Sequence, residues 1–245
     1  MTTLFISDLH LDASRPDITG QFVEFLREQA TGAEFLYILG DLFEAWVGDD
    51  DPEPEKQRAV AALRALSDSG VPVYFMHGNR DFLIGARFAR EAGCTLLPDP
   101  CRVSLHGSEV LLMHGDTLCT DDVEYQAFRE MTRDPSWQQQ FLSLPLAQRL
   151  AMAEEARAES LASTRGKPES IMDVNQQAVV ETMREEKVRL LLHGHTHRPA
   201  VHDFEIDGRA AQRIVLGDWY TQGSVVYWDD SGFRLESLPR TEGAH

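Results

Sequence analysis

The chain has 245 residues, 42% hydrophobic and 26% charged, with 40 acidic against 23 basic side chains and a formal charge of −17. That length fits one domain with an insertion, and the composition is that of a soluble globular protein. The acidic balance argues against wrapping a nucleic-acid backbone, which needs cation clusters to displace counterions, and against loose electrostatic attraction to anionic lipid.

Three cysteines, Cys94, Cys101 and Cys119, are odd in number and lack C-x-x-C spacing, which suits free thiols in a reducing compartment. Met1 leads into a strand rather than a basic and apolar leader, and no apolar run reaches membrane-span length. The expectation is a cytoplasmic protein.

The first strand, Leu4-Phe5-Ile6, stops at Asp8 and His10. Residues two apart on a strand share a face, so both side chains can reach one ion. An amphipathic helix is expected over Thr19–Ala30, then a buried strand over 34–41 ending in Gly40-Asp41. The acidic loop Gly48-Asp49-Asp50-Asp51-Pro52 precedes a helix over Pro54–Ser69. The strand 71–81 ends in Gly78-Asn79-Arg80-Asp81, and a helix over Phe82–Ala92 follows. Short strands at 94–97 and 101–105 lead to 109–116, which ends in His114-Gly115-Asp116. Strand–helix alternation indicates βαβ units.

From 121 to 187 the signals are helical, broken at Pro135, Pro145 and Gly166-Lys167-Pro168, with Asp173 and Gln176 spaced as a capping box. This segment is expected to be a cap over a core formed by 1–120 and 188–245. The sheet resumes with 187–197, ending in Gly194-His195-Thr196-His197, and strands follow near 200–206, 211–217, 222–228 and 232–236.

Five apolar strands thus end in metal-competent residues. Carboxylate, imidazole and amide donors suit Mn²⁺, Fe²⁺ or Zn²⁺ rather than a thiolate site. Asp8, His10, Asp41, Asn79, His114, His195 and His197 are too many for one tetrahedral ion. They suit two ions about 3.5–4 Å apart with a bridging carboxylate, able to clamp a phosphoryl group. Singly, Asp41 could cap a helix, His114 could be a core histidine and Asn79 a turn residue; agreement in series favours the dinuclear site. Asp81 and Asp116 are candidates to orient ligands, and His77, His106 and His193 fall off the pattern.

The series D-x-H, G-D, G-N, H-G-D and G-H-x-H resembles the calcineurin-like metallophosphoesterase family. The resemblance implies an α+β fold, a four-layer αββα sandwich with the site at the strand ends. It implies that Asp8, His10 and His197 hold one metal and that Asn79, His114 and His195 hold the other, with Asp41 bridging. Asp41, Asn79, Arg80, His114 and His195 are the implied catalytic residues.

Most of the family has histidine after the G-N pair, where this chain has Arg80. Arginine cannot donate its proton at neutral pH, so it serves poorly where an alkoxide must be protonated as it leaves. A phosphate monoester, with a second pKa near ~6, leaves without that help, and a guanidinium neutralises its charge well. Arg80 therefore points to pyrophosphate cleavage. A phosphodiesterase or nuclease on the same scaffold, and a non-catalytic protein that has lost its metals, are the competing readings. The complete ligand set speaks against the last.

The longer stretches YILGDLFEAWVGDDD, HGNRDFL, LLMHGDTLCTDD, IMDVNQ and HGHTHRPAVH resemble the branch of that family that acts on UDP-2,3-diacylglucosamine. This implies hydrolysis to UMP and 2,3-diacylglucosamine 1-phosphate in lipid A biosynthesis, with two Mn²⁺ and water attacking the uridine-side phosphorus. It further implies a monomer, peripheral on the cytoplasmic face of the inner membrane.

Arg157, Ser160, Thr164 and Lys167 lie at helical spacing, as do Asp122, Tyr125 and Phe128. Either these are solvated helix faces or, as the resemblance implies, Asn79, Arg80, Asp122, Ser160, Thr164, Lys167 and His195 bind substrate. Leu142, Leu144, Leu146, Leu150, Met152 and Leu161 could line an acyl crevice or simply pack helix on helix. With the net charge unfavourable, membrane docking is expected from apolar cap residues and from Arg129, Arg133, Arg149 and Arg157.

Overall fold

The computed structural model describes residues 1–164 and 171–239, with the side chains of Leu161, Ser163 and Thr164 outside that description. A six-stranded sheet runs in the order β11-β10-β1-β2-β3-β4. Its strands are β1 (Thr3–Ile6), β2 (Phe35–Leu39), β3 (Val73–Met76), β4 (Cys94–Leu97), β10 (Gly223–Asp229) and β11 (Gly232–Leu238). A five-stranded sheet runs β5-β6-β7-β9-β8, from β5 (Cys101–Leu105), β6 (Ser108–Met113), β7 (Leu190–His193), β8 (Ala200–Ile206) and β9 (Arg209–Val215). β1, β2 and β3 are mutually parallel, as are β6 and β7. Parallel strands send their carboxyl ends to a common edge, which is what gathers the five motifs.

Alternation along each strand builds the layers. Leu4, Ile6, Leu36 and Ile38 pack outward with Phe22 and Leu63, from α1 (Pro16–Phe25) and α2 (Pro54–Asp68), alongside α3 (Ala86–Ala92). Phe5, Tyr37 and Leu39 point the other way, onto Leu112, Leu192 and Ile214 of the second sheet. The far face of that sheet, with Leu111 and Leu191, is covered by Val179 and Met183 of α7 (Gln176–Glu185). The result is the expected αββα sandwich. α7, included in the expected cap segment, is its fourth layer. α4 (Val123–Arg133), α5 (Pro135–Ser143) and α6 (Leu146–Thr164) make up the rest of that segment's described helices.

Several boundaries differ from expectation for identifiable reasons. α1 starts at Pro16 rather than Thr19, since proline suits a first helical turn. α3 starts at Ala86 rather than Phe82, because the Asp49 carboxylate accepts the N–H groups of Gly85 (2.9 Å), Arg87 (3.0 Å) and Phe88 (3.0 Å) and caps the helix there. The box expected from Asp173 does not form. Asn175 caps α7 through the N–H groups of Gln177 and Ala178, while Asp173 is held by Arg198 at 2.9 Å.

Each carboxylate of the acidic loop has its own task. Beside Asp49, Asp51 pairs with Lys56 at 2.6 Å, and Asp50 receives Arg149 of α6 through two bonds of 2.8 and 2.5 Å. Arg149 is 3% exposed and also donates to the Val47 carbonyl at 2.6 Å. Arg129 pairs with Asp116 at 2.7 Å, Arg133 donates to the Gly78 carbonyl at 2.9 Å and lies over the Phe82 ring, and Arg157 pairs with Glu44. The four arginines expected at a membrane are instead turned inward, where unpaired cations would be costly. They fasten the helical segment to the core.

Arg149 beside Asp50 holds that carboxyl below its ordinary value. A lowered carboxylate pKa contributes stability above the ordinary value of 3.8, lost as pH falls through the lowered one. The half-exposed pair is screened, so Asp50→Ala should loosen the helices more than it melts the core. Limited proteolysis should show faster cleavage within 143–160 and a near-native far-UV spectrum, with wild type converging on the variant at low pH.

Candidate metal centre

The strand ends turn inward through unusual backbone. Asp8, His10, Asp41, His195 and His197 all have left-handed φ, between 51° and 68°, a conformation costing about 1–2 kcal/mol at a non-glycine residue. Such a cluster persists only where its surroundings fix it, and they do. The N–H groups of Asp8 and His10 donate to the carbonyls of Gly40 (3.1 Å) and Asp41 (3.0 Å), and Gly194 donates to His114 (2.9 Å). The buried Asp81 carboxylate accepts the amides of Gly78 (2.8 Å), Leu42 (2.8 Å), Asp41 (3.3 Å) and Phe43 (3.4 Å). It thereby orients the Asp41 loop and the Asn79 turn together.

Two groups of donors result: Asp8, His10 and His197, and Asp41, His114 and His195, each with ligand atoms within 4.8 Å of one another. Asp41 faces both groups, its Oδ2 lying 3.9 Å from His10 Nε2 and 3.7 Å from His114 Nε2, while its Oδ1 accepts the Arg80 amide at 2.8 Å. Asn79 Oδ1 sits 2.9 Å from both His114 Nε2 and His195 Nδ1.

The outer partners of the histidines test whether this set fits metal. His114 Nδ1 lies 2.9 Å from the Leu39 carbonyl, His10 Nδ1 lies 3.0 Å from Glu44, and His197 Nδ1 lies 3.4 Å from Asp218. The Leu39 carbonyl holds the His114 proton on Nδ1 and leaves Nε2 as a lone-pair donor toward the centre, and the carboxylates of Glu44 and Asp218 bias the protons of His10 and His197 the same way electrostatically. His10 and His197 then point Nε2 at each other across 3.2 Å, an arrangement that a cation between them would relieve. Asp8 presents Oδ1, buried without a hydrogen bond among the described residues, while its Oδ2 is held by Ser7 (2.5 Å) and the His195 amide (2.9 Å). The residues fit two divalent cations.

The electrostatics agree. Burial, then His114, pushes the His195 imidazole down to about 4, leaving it neutral. Burial also acts against charge on His114, but Asp41, Asp116 and Asp8 outweigh it and raise that imidazole to about 9. A proton here stands in for missing positive charge, so metal binding would release it.

All seven expected ligands converge. Asp116 departs from expectation: its Oδ2 accepts Tyr125 Oη (2.5 Å) and Arg129 Nε (2.7 Å), so it anchors α4 rather than orienting a histidine. Asp122 is the α4 N-cap, accepting the Tyr125 amide at 3.2 Å, and Ser160 is exposed on α6. Lys167 lies outside the described residues, as does the side chain of Thr164. His77, His106 and His193 stay apart, bound to the Ile84 carbonyl, Asp230 and Arg213. Sequence reading missed Glu44 and Asp218. Both follow a Gly-Asp or Gly turn at a strand end, the one signal that could have flagged them.

A model for the calcineurin-like phosphoesterases matches residues 1–199. The chain belongs to that family. Within it, a UDP-2,3-diacylglucosamine hydrolase of Stenotrophomonas maltophilia (strain K279a) is 58% identical over 98% of this chain and 100% of its own. Proteins with the same name from Enterobacter sp. (strain 638) and Escherichia coli O7:K1 are 55% and 57% identical, over 98% and 92% of this chain and 100% and 94% of theirs.

Close backbone approach gives a direct test. A Cβ on Gly194 would collide with Asp8 Oδ2 and Ser7 Oγ. Gly194→Ala should therefore displace Asp8, and elemental analysis should find the bound-metal stoichiometry reduced while the circular dichroism stays native.

Proposed function

We propose that the chain is a pyrophosphatase that hydrolyses UDP-2,3-diacylglucosamine to UMP and 2,3-diacylglucosamine 1-phosphate in lipid A biosynthesis. The substrate comes from the relatives, which match it end to end. Arg80 carries the reaction class. Its amide is bonded to Asp41 and its Nε is buried with no acceptor among the described residues. The guanidinium lies near enough to His10 and Tyr220 to act on them electrostatically, and its open N–H awaits an anionic oxygen.

Two Mn²⁺ are the proposed cofactors, since mixed oxygen and imidazole donors suit that ion. Bound at Asp8, His10, Asp41, Asn79, His114, His195 and His197, they would lower the pKa of attacking water and neutralise phosphoryl charge. Arg80 stabilises the departing phosphate without surrendering a proton. His195, buried and neutral, presents Nδ1 to Asn79, and Tyr125 stacks on its ring at 6.0 Å between centroids, fixing its plane. Attack at the uridine-side phosphorus makes the lipid phosphate the leaving group. Asn79, Arg80 and His195, with Asp122, Ser160, Thr164 and Lys167 from the helical insertion at 121–187, are the proposed substrate contacts.

Val123, Phe128, Met131, Leu142, Leu150 and Met152 leave α4, α5 and α6 unusually apolar at the surface. They supply a place for acyl chains and a means for a monomer to associate peripherally with the inner membrane from its cytoplasmic face. Leu146 packs on the core instead. Among the described residues no helix is long and apolar enough to cross a membrane.

Turnover of UDP-2,3-diacylglucosamine in detergent micelles with Mn²⁺ and ¹⁸O-water tests this reading. Label should appear in UMP, and chelation should abolish turnover until Mn²⁺ is restored. Arg80→Ala should lower kcat about 10–100-fold, from the ~1.5–3 kcal/mol of a charged hydrogen bond. Label in the lipid phosphate would reverse the assignment of the attacked phosphorus, and absence of turnover by metal-loaded protein would overturn the substrate.

A further inference from the structure

A cavity of about 190 Å³ lies outside the metal centre, with apolar walls from Pro199, Ala200 and Val215 and polar groups from Asp173, Thr196, Arg198, His202 and Arg213. It sits on the outer face of the second sheet, beyond the part covered by α7. Thr196 separates the ligands His195 and His197, so the cavity adjoins the centre without sharing a ligand with it.

Two of its lining groups are incomplete. Arg213 is 6% exposed, and its Nε has no hydrogen-bond partner among the described residues; neither has the buried Thr196 Oγ1. Arg213 Nη1 faces His193 Nε2 at 3.3 Å, and His193 Nδ1 lies 2.8 Å from the Gly194 carbonyl, so that imidazole can accept only one guanidinium proton. Open buried donors cost free energy until an acceptor meets them. An acceptor, Asp173, lines the same cavity; it holds Arg198 at 2.9 Å and acts on Arg213 electrostatically.

We propose that this cavity is a subsite for a pyrimidine base with the acceptor–donor–acceptor edge of uracil, and that it receives the nucleotide half of the substrate. The proposal rests on the function inferred above and adds the residues that select the base. The carbonyl oxygens of uracil meet the Arg213 and Thr196 donors, with Arg198 beside them, and its N3–H meets the Asp173 carboxylate. Cytosine reverses part of that edge, setting a lone pair at N3 against Asp173 and an amino group where uracil has a carbonyl. Sites built on buried hydrogen bonds discriminate strongly against such mismatches.

Size and position agree. Whole-ligand pockets run to roughly 300–1,000 Å³, so this one suits a single ring. A base stands near its α-phosphate, and Thr196, flanked in sequence by His195 and His197, keeps the cavity next to the centre. The apolar helices are fastened away from the cavity lining, α6 to Asp50 through Arg149, α4 to Gly78 through Arg133 and α5 to Phe82 through Trp137. A substrate with an apolar and a nucleotide end would lie across the centre with one end on each flank.

UMP and CMP binding to the full-length, Mn²⁺-loaded protein, measured by calorimetry and by saturation-transfer NMR on the base protons, tests the subsite. Wild type should prefer UMP at least tenfold. Asp173→Asn, which can turn an N–H donor toward N3 of cytosine, should reduce that preference at least tenfold, and Thr196→Val should weaken UMP while leaving metal content unchanged. Equal UMP and CMP affinities in wild type, or a preference untouched by both variants, would mean a water-filled cavity and overturn the proposal even with the hydrolase reading intact. A uracil preference sensitive to both variants, in a protein that does not turn over the lipid nucleotide, would keep the subsite and remove the hydrolase.

Discussion

Five residues in left-handed backbone cannot be held by their own preferences, and the Gly40–Asp41 turn on which Asp8 and His10 lean is itself fixed by one buried carboxylate. Asp81 gathers four main-chain amides from two loops, fixing the bridging Asp41 against the Asn79 turn. Burial, then the charge of Asp41, raises the Asp81 carboxyl to about 7, so two like charges are being kept together at some cost. Divalent cations beside Asp41 would remove much of that repulsion. The strain of the strand ends and the demand for positive charge are thus the same constraint, met by binding metal.

The helical insertion shares in this arrangement rather than lying over it as a separate lid. Arg133 of α4 reaches the Gly78 carbonyl, next to Asn79; Arg129 reaches Asp116, two residues from His114; and Arg157 of α6 reaches Glu44, the partner of His10. Each tie ends within two residues, or one contact, of a candidate metal ligand. Displacing the helices would therefore disturb the orientation of the candidate ligands. Coupling of this kind needs only packed and bonded neighbours with two arrangements.

What the sequence disclosed follows from how local each feature is. A strand that ends in Asp8 and His10, or in His195 and His197, carries its meaning within a few residues, and parallel pairing brings the ends together without further information. The convergence of the seven candidate side chains was legible on that ground, as were the layers, from alternation in runs such as Leu36 to Leu39. Glu44 and Asp218 were not, because a carboxylate becomes a histidine's partner only through contacts distant in sequence. The arginines at 129, 133, 149 and 157 misled for the same reason: helical spacing shows which residues share a face but not which way the face turns. α7 read as part of the insertion because its helical signal is the same whether it covers a sheet or a substrate.

Net charge misleads in a similar way. The chain carries −17 overall, yet the surroundings of the metal centre are rich in guanidinium groups from Arg80, Arg133, Arg157 and Arg213. The pyrophosphate proposed as substrate would respond to the local field, concentrated by low-dielectric walls, while the average charge governs solubility and approach to other bodies. An acidic exterior repels an anionic membrane at a distance, so attraction must come from short-range burial of apolar side chains. Val123, Phe128, Met131, Leu142, Leu150 and Met152 stand exposed on the three helices nearest the centre, where such burial would also deliver an amphiphilic substrate. Anion capture within would thus depend on the bound cations together with Arg80, and restraint without on the acidic exterior, so the two electrostatic demands would be separated in space.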